Sequence, residues 1–326
     1  MNLRKRVLPP GWYPHSEEKV RQFLEQCSQE PISKERSSRE RISKERSSNN
    51  AIAVIAPHAG WYYSGRLAAG ALNTLKPGAE TVIVIGGHLP AGTPPLFAEE
   101  DGVTTPLGNL EIDREFRDLI WKELGGKPDR YYDNTVEVLL PMVKFYFPQS
   151  RLIWLRLGAE IQSYDVGKII AAIGASLKRK FVVIGSTDLT HYGLNYDFAP
   201  RGTGRKALEW MKTVNDAAFI QTVISGDGGE TLRRAGTDRS SCSAGAVLAC
   251  MGYAQSQSAS DAALLAYGTS ADTEETPVSF EDAAVNRAVL GGGSSGEDVA
   301  SGEDDIPDSF VGYAAMAWYP GEGASG

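Results

Sequence analysis

The sequence predicts an α/β fold, a single domain built on a largely parallel central sheet with helices on both faces. Three observations lead there. Short β-branched apolar runs bounded by Gly or Pro recur along the chain, and helical patterns alternate with them. Three of the four histidines stand just past the end of such a run, in Ile-Ala-Pro-His58, Ile-Gly-Gly-His88 and Ser-Thr-Asp188-Leu-Thr-His191. Strand and helix in alternation argue a parallel sheet covered on both sides. Ligands of such sheets bind outside the carboxyl ends of the strands, so these three imidazoles are expected to converge.

In order, the chain opens on a charged segment with no apolar stretch behind it, and His15 and Cys27 lie in polar surroundings and receive no role. Residues 30–50 hold a direct repeat, Ile32-Ser-Lys-Glu-Arg-Ser-Ser38 and Ile42-Ser-Lys-Glu-Arg-Ser-Ser48. A duplicated polar heptad cannot bury a face, so an exposed, partly disordered insertion is expected. The runs Ala51 to Ala56, Thr81 to Ile85, Arg151 to Leu157 and Phe181 to Ile184 read as buried strands.

Between them, Ser64 is positioned to cap a helix through Leu75, and Asp113 another through Leu124, which Gly125-Gly126 stops. Further helices are expected over Val136 to Tyr146, Tyr164 to Lys178, Gly204 to Ser225 and Ser243 to Ala254. A strand is expected over Ala262 to Tyr267. Residues 291–308, Gly-rich and then acidic, read as a flexible loop, after which Phe310 to Trp318 returns a last strand to the sheet.

The net charge of −8 leaves no basic footprint for nucleic acid or for a membrane surface. No run of about 18 apolar residues appears, so no membrane span is expected. Three cysteines are a sparse, odd set that fits a reducing compartment, and a cytoplasmic location follows as the expectation.

The loop Pro57-His58-Ala59-Gly60-Trp61-Tyr62-Tyr63-Ser64-Gly65 joins a ligand-type imidazole to glycines and three aromatics. Aromatic bodies with polar tips line small-molecule pockets, which makes Trp61 and Tyr62 candidate substrate contacts. The alternative is a turn whose aromatics fill the core beneath it. Asp188 stands three residues before His191, a spacing that in a helical loop would let the carboxylate orient the ring and the pair shuttle protons. Cys242 lies just ahead of a helix, where thiolate, the metal-binding and nucleophilic form, is favoured.

Two histidines and a cysteine make a soft three-ligand set that suits copper, iron or zinc and leaves positions open. A two-histidine, one-carboxylate face would instead suit non-haem iron(II), with Asp188 or Glu137 as the carboxylate, and Glu137 is also a candidate substrate contact. On residue types alone, Cys242 with His191 and Asp188 could form a nucleophile, base and orienter.

Taken together, Ala-Pro-His58-Ala-Gly-Trp-Tyr-Tyr-Ser-Gly, Gly-Gly-His88, Ser-Thr-Asp188-Leu-Thr-His191-Tyr-Gly and the isolated Cys242 resemble the Memo family. That family includes the bacterial AmmeMemoRadiSam system protein B and is similar in fold to LigB-type class III extradiol dioxygenases. The resemblance implies His58, His88 and Cys242 as metal positions holding iron(II) or copper, with zinc possible, and Asp188 and His191 as an acid-base pair. It implies redox or dioxygenase-like activity on a small substrate. A vestigial cavity that binds a peptide or small ligand without turnover is the alternative. The family's Glu-His-Ser/Ala-x-Glu-x-x-Leu-Pro is here Asp133-Asn134-Thr135-Val136-Glu137-Val138-Leu139-Leu140-Pro141, so Asn134 stands where the family has a histidine.

Overall fold

The computed structural model describes residues 1–29, 50–259, 262–275 and 306–321. The repeat expected as an insertion at 30–50 lies outside the described residues apart from Asn50, as does the loop expected at 291–308 apart from 306–308.

The amino-terminal part holds β1 (Leu3–Arg4), α1 (Glu17–Gln29), β2 (Ala53–Ala56), α2 (Trp61–Asn73), β3 (Thr81–Leu89) and β4 (Leu96–Phe97). A hairpin, β5 (Gly102–Thr105) and β6 (Gly108–Glu111), leads to α3 (Arg114–Leu124) and β7 (Lys127–Pro128). Then come α4 (Asn134–Glu137), α5 (Leu140–Tyr146), β8 (Arg151–Gly158), α6 (Gln162–Ser176), β9 (Phe181–Ser186) and β10 (His191–Gly193). The last part holds α7 (Arg205–Trp210), a π-helical turn (Met211–Asp216), α8 (Ala217–Ile224), α9 (Gly228–Thr237), α10 (Ala244–Ser256), β11 (Ala262–Thr269) and β12 (Ser309–Trp318).

The four β-branched runs become the centre of the main sheet, in the order β2, β9, β3, β8 and parallel throughout. The sheet as a whole is mixed, which refines the largely parallel sheet expected. β12 runs antiparallel to β2, β11 and β10, and β4 runs antiparallel to β8. Because β12 starts beside the carboxyl ends of the parallel strands, it brings Val311 into register with His191 there. Helices cover both faces. Val54, Val82, Val84 and Trp154 pack toward α1, α2 and α5, while Ile55, Ile83, Ile85 and Leu155 pack toward α3, α6, α8 and α10. This is the period-two alternation of a sheet buried on two sides.

Several boundaries move for local reasons. Asp113 caps α3 by accepting from Phe116 N, and Gly125 ends it in the left-handed region at φ 63°, as the sequence predicts. Ser64 does not cap α2. The helix starts four residues earlier, at Trp61 with Gly60 as its cap, and the Ser64 hydroxyl donates to Ala59 O. The helix expected over Val136 to Tyr146 is broken into α4 and α5 because Pro141, lacking an N–H, occupies the first turn of a new helix. The helix expected over Gly204 to Ser225 is interrupted by the π-helical turn.

Candidate metal centre

His58 stands two residues beyond β2, His88 near the end of β3, and Cys242 two residues before α10. The sheet order brings these ends together, and one ligand atom from each lies within 4.8 Å of the others. The two imidazoles meet edge to face with centroids 4.9 Å apart, and Cys242 Sγ is 3.3 Å from His58 Nε2.

Both rings are oriented from behind. Nδ1 of His58 is 2.9 Å from Ser186 Oγ, and Nδ1 of His88 is 3.1 Å from Asp133 Oδ2. With Nδ1 occupied, Nε2 is the atom each ring offers to the centre, the arrangement that metal-ligating histidines use. Asp133 is itself held by Thr135 N at 2.8 Å and by Arg156 Nη2 at 3.2 Å. Arg156 is buried, donates to Gly87 O, and pairs with Asp129, which also accepts from Trp154 Nε1. His88 has φ 58°, a conformation a non-glycine residue adopts at a cost.

The electrostatics are mutual. Burial alone would raise the Cys242 thiol, but the charge of His58 and hydrogen bonds to His58 and His88 outweigh it and hold the thiol well below its usual range. Burial disfavours charge on His58, yet Asp188 and Cys242 raise it. His88 is raised against burial by its hydrogen bonds to Asp133 and Cys242, and Asp133 is lowered against burial by His88, Thr135 and Arg156. Burial pushes the Asp188 carboxyl up, and the charge of His58 only partly offsets it. Asp188 N also donates to Cys242 Sγ at 3.3 Å, a further stabiliser of the thiolate.

The donor set fits a metal ion. With metal–sulfur and metal–nitrogen bonds of about 2.3 Å and about 2.0 Å, a tetrahedral ion separates Sγ from Nε2 by about 3.5 Å, close to the 3.3 Å present. Three protein ligands leave coordination positions open.

The cavity over this group is about 210 Å³ and is lined by Trp12, Tyr63, Tyr196, Tyr313, Val311 and Asn134 together with His58, His88, Asp188 and His191. A second hollow of about 540 Å³, lined by Val7, Leu8, Pro9, Trp12, Tyr132, Asp133 and Asn134, adjoins it and shares Trp12 and Asn134.

The other expected site residues divide. Asp188 and His191 both line the cavity but are not paired as expected, because residues 187–190 are not helical and His191 opens a strand. Asp188 instead accepts from His58 N at 2.7 Å, with its other oxygen 3.9 Å from His58 Nε2. His191 Nδ1 is 3.2 Å from Leu189 O. A carbonyl only accepts, so Nδ1 carries the hydrogen, and in the neutral ring Nε2 is left as a proton acceptor. The nucleophile arrangement changes likewise, since the ring against Cys242 is His58 and not His191.

Trp61 and Glu137 do not reach the cavity. Trp61 is in the core, packed on Tyr13 and Phe23, and its Nε1 donates to Val138 O. Successive helical residues point about 100° apart, so when α2 starts at Trp61 the following aromatics diverge, and Tyr63 is the one that faces the cavity. Tyr62 packs edge-on against Tyr63. Glu137 is buried and accepts from Val7 N, Leu8 N and Tyr13 Oη, tying the amino-terminal strap to α4. That strap delivers Trp12, which sequence reasoning missed because no periodic or spacing signal links it to His58.

A mixed α/β sheet with a His-His-Cys group at its strand ends defines a protein with a candidate three-ligand metal centre. The chain belongs to the Memo family, whose description as Memo-like protein matches residues 4–285. It is similar to a MEMO1 family protein of Methanococcus vannielii, 27% identical over 285 residues that cover 83% of this chain and 94% of that protein. A MEMO1 family protein of Archaeoglobus fulgidus is 30% identical over 234 residues, 69% of this chain and 82% of its own length. One from Methanopyrus kandleri is 28% identical over 271 residues, 80% and 90% of the two chains.

Proposed function

We propose that this protein is a metal-dependent, dioxygenase-like or other redox protein acting on a small substrate, with His58, His88 and Cys242 as ligands of iron(II) or copper and zinc as a possible occupant. The observation that carries the reading is the convergence of three ligand atoms within 4.8 Å beneath a cavity that also holds His191 and Asp188. An ion held there would supply Lewis acidity and, for iron or copper, electron transfer. The residues supply the rest. Ser186 and Asp133 keep Nε2 of each ligand ring directed at the centre. The bare Nε2 of His191 takes a proton from a bound hydroxyl, and Asp188, accepting from His58 N, holds the backbone that presents that ligand ring. Trp12, Tyr63, Tyr196 and Tyr313 exclude water and fix the plane of the substrate.

The second reading is a binding module in which the cavity recognises a small ligand or a peptide without turnover. The adjoining hollow along Val7, Leu8, Pro9 and Tyr132 favours it, because it extends the binding surface beyond a small molecule's size. In both readings the protein works in the cytoplasm, without nucleic acid or membrane. The three free cysteines support that location, and among the described residues no helix is long and apolar enough to cross a membrane.

The test is metal content after anaerobic loading with iron(II), copper(I) and zinc, for the wild type and for the double variant His58→Ala, Cys242→Ser. Near-stoichiometric metal in the wild type and its loss in the variant are expected. Equal metal in both would reject the ligand set. No specific metal in either, with ligand protection persisting in chelator, would favour the binding module.

A further inference from the structure

We propose that Asp216 is a positioning residue for His191, acting through the Leu189–Thr190 peptide unit. The inference rests on the reading of His191 as the cavity's proton acceptor. Asp216 is fully buried at the end of the π-helical turn. Its Oδ1 accepts from Thr190 N at 3.2 Å and from Thr190 Oγ1 at 2.5 Å, and its Oδ2 accepts from Tyr267 Oη at 2.7 Å. Asn215, the preceding residue, donates to Thr190 Oγ1 at 2.8 Å and to Asp238 O at 2.9 Å. Two adjacent residues of an α-helix diverge by about 100°. Here both side chains reach one threonine, and a π-turn is the kind of local rearrangement that inserts residues toward a functional site.

The coupling runs through a single rigid group. The amide N–H of Thr190 and the carbonyl of Leu189 belong to one planar trans peptide, so fixing one fixes the direction of the other. The N–H points to Asp216, and the carbonyl accepts Nδ1–H of His191. The acceptor state of Nε2 in the cavity is therefore set from a carboxylate that lines no part of it. Gly312 belongs to the same device. Its backbone brackets the loop, with Leu189 N donating to Gly312 O and Gly312 N donating to Thr190 O. A Cβ at position 312 would fall 1.9 Å from Asp216 Oδ2, so only glycine lets the carboxylate approach.

The test is nitrogen-15 NMR of the full chain labelled at histidine, at mildly alkaline pH, with each imidazole assigned by single replacement. The wild type is expected to show His191 with protonated Nδ1 and bare Nε2. Asp216→Ala should move both resonances toward the averaged position of mixed tautomers, while Asp216→Asn, which keeps an acceptor for Thr190, should retain the wild-type pattern. An unmoved pattern in Asp216→Ala, or an equal change in the Ala and Asn variants, would overturn the proposal. Should Asp216→Ala fail to fold, Asp216→Leu, which keeps the bulk and removes the acceptor for Thr190 N, asks the same question against Asp216→Asn. The leucine is expected to blur the tautomer and the asparagine to keep it, and identical spectra would count against the role. Titration of the same samples with zinc, and anaerobically with iron(II) and copper(I), separates the two readings. Failure of the wild type to bind zinc, iron(II) or copper(I) removes the metal centre and leaves the tautomer readable. Zinc binding by an Asp216→Ala protein whose His191 is unmoved removes only the positioning role.

Discussion

Asp133 accepts the Nδ1–H of His88 at 3.1 Å while Arg156 grips the same carboxylate oxygen at 3.2 Å, so the direction of one metal-site ring is set by a buried ion pair behind it. His88 has the more exposed of the two rings and a left-handed backbone, and this support is what keeps its Nε2 aimed at Cys242.

Removing that support should weaken metal binding without removing a ligand. Asp133→Ala is expected to cost about 10- to 100-fold in affinity, the usual loss when the partner of a ligating histidine is deleted. Chelator competition with zinc on the folded variant measures it, and an unchanged affinity would mean that His88 is oriented by other contacts.

Metal uptake should release protons from the imidazoles, not from the thiol. The Cys242 pKa is lowered and those of His58 and His88 are raised, His88 to about 10, directions that favour a thiolate beside protonated rings in the free centre. Binding needs neutral imidazole, so affinity is expected to fall as pH drops. Calorimetric titration in buffers of different ionisation enthalpy counts the protons. His88→Ala should reduce the count, and a wild-type release near zero at neutral pH would contradict the charge assignment.

What could be read from the sequence was whatever short-range chemistry encodes. Asp113 and Gly125 bracket α3 because cap and stop are local effects, and the four parallel strands show as β-branched runs for the same reason. The histidines and Cys242 were legible because strand ends of a parallel sheet share one edge. The edge beyond β8 was not, since β4 and β7 are two residues each and carry no periodicity. Trp61 was misassigned because α2 is capped at Gly60, four residues before the expected cap, so residues 61–63 lie in the helix and their side chains diverge. Asp133 supports His88 across 45 residues of chain and Asp216 holds Thr190 across 26, separations at which no local pattern survives.

Helix α6 lies against α10 at backbone contact, and small residues make that possible. A Cβ at Gly167 would fall 1.9 Å from Ala249 O, and one at Gly252 would fall 1.9 Å from Tyr164 O. Both obstacles are backbone atoms that cannot swing aside. Gly252→Ala is expected to destabilise the fold by about 1–3 kcal/mol, the range for overpacking, despite alanine's better helix propensity. Urea unfolding checks it, and a gain in stability would mean that the two helices separate at little cost.

The buried carboxyl of Asp216 gives stability a pH dependence of definite sign. Burial raises its pKa to about 7, against hydrogen bonds from Thr190 and Tyr267 that favour the charged form. In the unfolded chain the group ionises near the ordinary carboxylate value of about 3.9. Between these values the unfolded chain has lost a proton that the folded chain keeps, so stability from this group falls as pH rises from about 4 to about 7 and then levels off. The full difference is on the order of 4 kcal/mol, from about three pKa steps at about 1.36 kcal/mol each. Asp216→Asn cannot ionise and should lose that slope while keeping an acceptor for Thr190. Denaturant titrations of both proteins at mildly acidic and mildly alkaline pH give the comparison. The gap between variant and wild type should widen in the variant's favour as pH rises, and a gap that stays constant would show that Asp216 ionises alike in the folded and unfolded chain.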